Sequence, residues 1–121
     1  MNTAQDPRDL ALALTSRSDL RVYRVGAVIY DNHGVISWGW NYWISRGGGK
    51  FETICAERYA IRRANRKRLR GATIVVAGVR RGNGAEFLTR PCEKCFSEIL
   101  KRGIRRVVYS IGPGRWGEEQ V

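Results

Sequence analysis

Three cysteines and one glutamate are the residues in this sequence whose types and spacing could do chemistry. Cys92 and Cys95 are separated by two residues, and Glu57 follows Cys55, the only other cysteine, by two positions. Short cysteine spacings of this kind are typical of zinc sites, and a site with three protein ligands keeps a position for water. Zinc lowers the pKa of such a water towards about 7, and a carboxylate beside it can accept the proton. The pattern therefore predicts a hydrolytic zinc site.

Each of these residues also has a simpler interpretation. Cys92 and Cys95 alone would fit a redox pair or two buried structural thiols. Glu57 alone would fit an acidic residue that stabilises the first turn of a helix. The combination favours the metal site because a distant thiol and an acid stand at a fixed offset from each other. His33, the single histidine, lies between two predicted strands, and we interpret it as a solvated turn residue rather than a fourth ligand.

The elements that must position these residues alternate between helix and strand. In chain order we predict a helix over 9–15, a hairpin of strands over 22–30 and 35–41, a helix from 54 to about 69, a strand over 73–79, a helix from near 91 to 103, and a strand over 104–111. This order predicts a mixed α/β sheet in which the two late strands are parallel and helices cover the faces. The segment after residue 111 looks irregular.

Small and apolar residues suggest how the two long helices pack. The first carries a stripe of small residues that would let it approach a sheet closely, formed by Ala56, Ala60 and Ala64. The second is expected to bury Cys95, Phe96, Ile99 and Leu100.

An aromatic cluster and a glycine run lie between the hairpin and the first long helix. Trp38 and Trp40 share one strand face and are expected to pack under a helix. Tyr42 and Trp43 could either stack a base or line a subunit contact. The glycine-rich segment 46–50 is interpreted as a mobile loop at the pocket entrance, because no phosphate-binding motif surrounds it.

The composition predicts one small globular domain over residues 1–121. Its 43% hydrophobic content is sufficient for a core, and an odd number of cysteines excludes a closed disulfide framework. No stretch approaches a membrane span, and the first residues lack the features of a signal peptide. We therefore expect a cytoplasmic protein that makes no membrane contact.

The net charge is strongly positive and indicates an anionic partner. There are 22 Lys and Arg residues against 11 Asp and Glu residues, which gives +11. Many of the cations follow Glu57 and would form one basic helix face, made of Arg62, Arg63, Arg66, Lys67 and Arg70. This face is either a solvated surface or a site for single-stranded nucleic acid.

Two motifs together resemble the cytidine deaminase superfamily. They are Cys55-Ala56-Glu57-Arg58 followed by Ala60-Ile61, and Pro91-Cys92-Glu93-Lys94-Cys95 further along the chain. The resemblance covers roughly residues 22–111. The first motif is similar to nucleoside cytidine deaminases, whereas Arg24-Val25-Gly26-Ala27-Val28 and Gly39-Trp40-Asn41 look more like deoxycytidylate deaminases.

The resemblance implies a fold and a role for each site residue. The fold would be a three-layer α/β cytidine deaminase-like domain with a mixed sheet of four to five strands, the fifth of which could be absent because the chain ends soon after the fourth. Zinc (Zn²⁺) would be held by Cys55, Cys92 and Cys95, and Glu57 would shuttle protons. Asn41 would contact the ribose, the backbone of Ala56 would hold the base, and Arg58 would offset the excess negative charge of three thiolates.

The resemblance also implies a reaction in pyrimidine metabolism. The leading hypothesis is hydrolysis of the cytosine amine in a free (deoxy)cytidine nucleoside or nucleotide, giving uracil and ammonia. One alternative is deamination of cytosine in single-stranded DNA or RNA. Another is a nucleic-acid-binding module with structural zinc, in which Glu57 would be dispensable. Because related enzymes are mostly oligomers, we expect a homo-oligomer.

Overall fold

The secondary structure comes from a computed structural model that describes residues 6–121. The helices are α1 (Pro7–Leu14), α2 (Ala56–Arg63), α3 (Arg66–Leu69) and α4 (Glu93–Lys101). The strands are β1 (Tyr23–Asp31), β2 (Gly34–Trp40), β3 (Tyr42–Gly47), β4 (Lys50–Ile54), β5 (Thr73–Arg80), β6 (Arg106–Gly112) and β7 (Arg115–Gln120). No helix within residues 6–121 combines the length and the hydropathy needed to cross a membrane.

A five-stranded mixed sheet forms the centre of the fold, with the strand order β2-β1-β5-β6-β7. Strand β1 runs antiparallel to β2 and to β5. Strands β5 and β6 are parallel and are joined through α4, as a crossover connection requires. The predicted hairpin and the predicted parallel pair are therefore both confirmed.

Helices cover both faces of this sheet and make three layers. On one face α1 buries Ala11 and Leu14 against a cluster that includes Val28, Val75 and Val108. On the other face α2 and α4 bury a larger cluster formed by Ala27, Ile29, Ala56, Ala60, Ile61, Leu69, Ala72, Ile74, Val76, Ile99, Ile104 and Val107. Burial of this apolar area provides most of the driving force for folding. The predicted three-layer α/β class is confirmed.

Helix α2 lies unusually close to the sheet because the facing residues are small. A Cβ atom added to Gly39 on β2 would lie 2.7 Å from the Ala60 nitrogen and 2.9 Å from the Ala56 oxygen. The neighbouring Ser37 hydroxyl donates a hydrogen bond to the Ala60 carbonyl at 2.7 Å. The predicted small-residue stripe is confirmed at Ala56 and Ala60, and it fixes the start of α2 relative to β2.

The prediction of one continuous helix from 54 to about 69 is wrong. Helix α2 ends at Arg63, and Ala64 adopts an extended conformation with φ −79° and ψ 150°. The Asn65 side chain then caps α3 by accepting a hydrogen bond from the Lys67 nitrogen at 3.1 Å. Asparagine favours such caps over the helix interior, because its side chain competes for backbone hydrogen bonds.

The glycine-rich segment 46–50 contains the turn of a second hairpin, formed by β3 and β4, which the sequence analysis did not predict. Gly47, Gly48 and Gly49 all have positive φ angles, which side chains other than glycine rarely adopt. The glycines hide the hairpin in the sequence, because they interrupt the aromatic and β-branched pattern that marks a strand.

The prediction that the chain is irregular after residue 111 is also wrong. Strand β7 pairs antiparallel with β6 after a turn at Pro113 and Gly114. Cross-strand pairs hold it in place, since Arg106 forms an ion pair with Glu118 at 2.7 Å and the Tyr109 hydroxyl donates to Glu119 at 2.9 Å. The sheet therefore has its fifth strand.

The aromatic and apolar predictions hold only in part. Trp38 is 41% exposed, and it is Ser37 and Gly39, on the opposite side of β2, that lie beneath α2. Trp40 is partly buried, and its ring contacts Tyr59 at a centroid distance of 5.2 Å. In α4, Cys95 and Ile99 are buried as predicted.

Leu100 differs from the prediction for α4, because it is 53% exposed. It follows Ile99 by one position, which turns it by about 100° away from the buried face of the helix.

Candidate active site

Two of the cysteines occupy the N-cap positions of two helices. Cys55 precedes α2 and Cys92 precedes α4, each with an extended backbone and without a side-chain capping hydrogen bond. The first backbone N–H groups of a helix have no partner within the helix, and the helix dipole makes this end positive. Both helix starts therefore present a thiol in an environment that favours negative charge.

All three cysteines and Glu57 line one cavity of about 230 Å³. Asn41 and Ala56 line it too, so the structure brings six of the seven predicted site residues together. The apolar part of the wall comes from Leu20, Val25, Ile54, Val76 and Phe87. This volume lies below the roughly 300–1,000 Å³ of sites for drug-sized ligands, so the cavity suits a single small ring.

The thiols of Cys55 and Cys95 are coupled to each other. The hydrogen bond from Cys95 lowers the pKa of Cys55 to about 6, and the positive charges of Arg58 and Lys94 act in the same direction, against desolvation. The same hydrogen bond raises the pKa of Cys95, and desolvation acts in the same direction. Arg58, the predicted site residue that does not line the cavity, thus still acts on Cys55 through its charge.

Glu57 is buried at the second position of α2, with 6% of its surface exposed. Burial raises the pKa of Glu57 to about 7, and the negative charge of Cys55 acts in the same direction, while a hydrogen bond with its own backbone opposes them. Within residues 6–121 no cation forms an ion pair with this carboxyl. A buried carboxyl without such a partner is costly, and is typical of a functional position.

The three thiols match the ligand preference of zinc, although their side chains are not arranged to coordinate a metal ion. Within the described part of the chain, no three His, Cys, Asp or Glu side chains are already arranged to hold a metal ion. All three cysteines are free, and Cys95 interacts with both Cys55 and Cys92. Zinc prefers thiolate ligands of this kind, so the three thiols that line the cavity fit the metal by their chemistry.

Asn41 lies at the cavity wall, but its side chain is already engaged with β1. Its Oδ1 atom accepts a hydrogen bond from the Val25 nitrogen at 2.9 Å, and its Nδ2 atom donates to the Tyr23 oxygen at 3.0 Å. One hydrogen of Nδ2 is left over for a ligand. The residue thus braces the strand as well as facing the cavity.

Comparison with known proteins identifies the family. The model of the cytidine and deoxycytidylate deaminase zinc-binding region matches residues 1–111. The chain belongs to this family. The resemblance found in the two sequence motifs is therefore confirmed, and the cavity that holds both motifs is the candidate active site of a deaminase.

Solved structures share the fold of this deaminase-family chain. Cytidine deaminase from Burkholderia pseudomallei matches with a TM-score of 0.71 and 24% identity, over 94% of this chain and 89% of that one. The dCMP deaminase of cyanophage S-TIM5 matches with a TM-score of 0.63 and 18% identity, over 87% and 79% of the two chains. RibD of Acinetobacter baumannii matches with a TM-score of 0.60 and 22% identity, over 87% of this chain and 27% of that one.

These identities, all below 25%, show a common fold and no more. No curated protein matches the sequence at a significant level.

Two buried hydroxyls that the sequence analysis missed hold the segment before Cys92 in place in this family member. The Thr89 hydroxyl donates to the Val76 oxygen at 2.8 Å and accepts from the Ser110 nitrogen at 3.1 Å. The Ser110 hydroxyl donates to the Phe87 oxygen at 2.7 Å. These bonds fasten the segment just before Cys92 to the central strands. No spacing in the sequence relates Thr89 to Ser110, because they meet only after β5 and β6 pair.

Two further cations lie close to the deaminase motifs. Arg90 lines the cavity, pairs with Glu119 on β7 through two hydrogen bonds, and lies 4.7 Å from the centre of the Phe96 ring. Lys94 acts on Cys55 through its charge. Lys94 lies between the two cysteines of the second motif, so its position near the thiols could have been predicted from the sequence.

The predicted basic helix face is exposed but does not line the cavity. Arg63 stacks over the rings of Trp38 and Tyr59, at 4.9 and 5.0 Å. Arg62 lines a small neighbouring cleft with Arg58. Binding of single-stranded nucleic acid to this face stays a prediction.

Proposed function

We propose that this chain is a zinc-dependent hydrolase that deaminates the cytosine ring of a free (deoxy)cytidine nucleoside or nucleotide, giving the corresponding uracil nucleoside or nucleotide and ammonia. One observation carries the proposal: the buried carboxyl of Glu57 shares a ring-sized cavity with three free thiols. Membership of the cytidine and deoxycytidylate deaminase family supports deamination of cytosine. The structural similarity to a cytidine deaminase and to a dCMP deaminase supports a monomeric substrate.

The metal ligands in this proposal are Cys55, Cys92 and Cys95. Bound zinc supplies a water of lowered pKa and polarises it for attack. Three thiolates leave an excess negative charge, which Arg58 and Lys94 offset because both act on Cys55 with positive charge. The starts of α2 and α4 stabilise the same thiolates through their unpaired N–H groups.

Glu57 moves the protons in this proposal. Its carboxyl takes a proton from the attacking water and delivers it to N3 of the ring, and a second transfer moves the proton of the new C4 hydroxyl to the leaving amine. Water adds at C4, the bond between C4 and the exocyclic nitrogen breaks, and ammonia leaves. The position of Glu57 inside α2 keeps its carboxyl in the cavity at the offset from Cys55 that the first motif sets.

The remaining cavity residues orient the ring. Val25, Val76 and Phe87 provide an apolar wall, which excludes water and packs against the base. The Ala56 backbone holds the edge of the base, and the free Nδ2 hydrogen of Asn41 is available to the sugar.

A structural zinc module without enzymatic activity is the main rival proposal. In such a module nothing would require a carboxyl at the cavity wall, and burying Glu57 without a cation would only destabilise the fold. The observed burial of Glu57 therefore favours the enzyme.

A substrate panel tests the proposal. The zinc-loaded protein is incubated with cytidine, deoxycytidine and their 5′-monophosphates, and ammonia release is measured together with the ultraviolet change from cytosine to uracil. We expect turnover of at least one of these monomers. If zinc-loaded protein deaminates none of the four monomers, the proposal is contradicted.

A further inference from the structure

A second, larger groove opens next to the candidate active site. It has a volume of about 690 Å³ and is lined by residues 19–23 together with Trp43 and Phe51. We call it the aromatic groove. Leu20 lines both this groove and the cavity, so the two spaces are neighbours. A ligand whose base occupies the cavity could therefore continue into the groove.

The groove presents aromatic rings to solvent. Trp43 is 47% exposed, Phe51 is 66% exposed and Tyr23 is 46% exposed. Trp43 pairs with Thr53 in the β3–β4 hairpin, and Phe51 lies two residues from Thr53, so the two rings share one face of the hairpin. Clustered exposed rings are uncommon on a monomer and indicate a binding surface. Flat rings of this kind can stack nucleobases of any sequence.

Cations accompany these rings. Arg21 lines the aromatic groove and also a neighbouring cleft, which it shares with Val22 and Arg80. The Arg80 guanidinium lies 5.5 Å from the centre of the Tyr23 ring. Asp19 supplies the single carboxylate of the groove wall, and its Oδ1 atom already accepts a hydrogen bond from the Trp43 nitrogen. The cavity, the groove and the cleft thus form a continuous track that becomes more basic away from the site.

The charge of the chain favours a polyanion over a second copy of itself on this track. Each copy carries +11, and Arg21 and Arg80 lie at this face, so pairing two copies here would bring like charges together. A nucleic acid strand offers phosphates to Arg21 and Arg80 and bases to Trp43 and Phe51. Neither base stacking nor phosphate contacts require a 2′-hydroxyl group, so single-stranded DNA carries every group that these side chains can bind.

We propose that the aromatic groove binds the nucleotides that flank a target cytosine in single-stranded DNA, so that the site accepts a strand as well as monomers. The proposal rests on the deaminase function proposed above. The reaction is the same hydrolysis: water adds at C4, ammonia leaves, and uracil remains in the strand. The strand follows the groove and not the basic helix face.

The test compares a strand with a monomer in the full-length, zinc-loaded protein. The strand is an oligodeoxythymidine with one central deoxycytidine, and the monomer is free deoxycytidine. The readout is the ratio of the two deamination rates. We expect this ratio to fall about tenfold in Trp43→Ala, the loss expected for one stacked base. Trp38→Ala is the matched control, because Trp38 is similarly exposed but lies on the edge strand β2.

A second pair of variants tests the path of the backbone. Arg21→Gln should lower the ratio and reduce its dependence on salt, because one phosphate contact is lost. Arg66→Gln, on the predicted basic helix face, should change neither. If both substitutions lower the rate ratio equally, the strand is attracted by the overall positive charge of the protein. That result would overturn the proposed path of the strand along the groove.

The remaining outcomes separate this inference from the proposed function. Deamination of deoxycytidine without deamination of the strand would overturn the groove proposal and leave the enzyme intact. If neither the strand nor any monomer of the substrate panel reacts, the enzyme proposal fails, and fluorescence anisotropy with the labelled strand then tests the groove alone. Weaker binding in Trp43→Ala than in Trp38→Ala would support it, and equal binding would overturn it. Deamination of an RNA strand without deamination of the DNA strand would overturn the assignment of the groove to DNA. A dimer that Trp43→Ala dissociates would show the groove to be a subunit contact.

Discussion

Gly39 on β2 lies directly beneath Ala60 on α2, so close that a single methyl group at position 39 would come within 2.7 Å of the Ala60 nitrogen. This contact determines where α2 begins and hence where the side chains of Cys55 and Glu57 lie. The position of the candidate active site thus depends on a glycine that lies outside it.

Replacing this glycine should disturb both stability and the site. We expect Gly39→Ala to lower the free energy of unfolding by about 1–3 kcal/mol, because the added methyl group must displace the backbone of α2. Urea denaturation measures the change, and deaminase activity should fall with it. Gly82→Ala is the matched control, since a Cβ at Gly82 meets no atom within 4 Å. Equal stability of the two variants would show that α2 does not depend on the contact.

The buried hydroxyl of Thr89 should be needed for the loop that carries Cys92. Thr89→Val keeps the shape of the side chain but leaves the Val76 oxygen and the Ser110 nitrogen without this partner. We expect a loss of about 1–3 kcal/mol in unfolding free energy and weaker zinc binding. Thr73→Val, on the same strand as Val76 but less buried, is the control for the substitution itself. Zinc affinity that is unchanged in Thr89→Val would contradict the positioning role.

The link between Arg90 and Glu119 should make stability sensitive to acid. Hydrogen bonds from Arg90, and then from Tyr109, hold the pKa of Glu119 below its ordinary value of 4.5. The folded protein therefore binds this proton less readily than the unfolded chain, so the stabilisation is present above the unfolded pKa and is lost as pH falls through the folded pKa.

Glu119→Gln measures this contribution. We expect wild type to be more stable than the variant at neutral pH, with a small difference because the pair is exposed, and the difference to shrink as pH falls below about 4.5. Tyr109→Phe should show a smaller effect of the same sign. Urea titrations across this pH range give the result, and a difference that did not change with pH would refute the link.

Zinc should protect all three thiols from alkylation. In the metal-free protein we expect iodoacetamide to modify the exposed Cys92 and the half-buried Cys55 before the buried Cys95. With zinc bound, all three sulfurs should be unreactive, because their lone pairs are occupied by the metal. Mass spectrometry of peptides after brief alkylation measures the pattern. Identical labelling with and without zinc would argue against the proposed ligands.

The candidate site could be predicted largely from the sequence because its signals are local. Glu57 lies within one helical turn of Cys55, and Cys92 lies within one turn of Cys95, so spacing alone relates their side chains. The cavity that holds both motifs agrees with this expectation. The roles assigned to these residues remain proposals, as do the single-domain organisation and the homo-oligomer.

The parts of the structure that sequence reasoning missed depend on long-range pairing. Strand β7 carries glutamates of low strand propensity, and it is held by its backbone pairing with β6 and by Trp116, which packs against the core cluster on the α1 face of the sheet. The contact between Thr89 and Ser110 exists only once two parallel strands are in register. The signal for the break in the predicted long helix is local, because Asn65 is a favourable N-cap residue for α3. The alanine spacing up to Ala64 favoured a continuous helix instead.

The most direct test of the account is a paired measurement of zinc content and ammonia release in wild type and Glu57→Gln. We predict that both proteins bind one equivalent of zinc and unfold at similar temperatures. Wild type should release ammonia from a cytosine-containing monomer, and the variant should be slower by a factor on the order of 10²–10⁴, the contribution expected of a general acid and base. Normal turnover in the variant, or undiminished turnover by wild type stripped of zinc, would contradict the account.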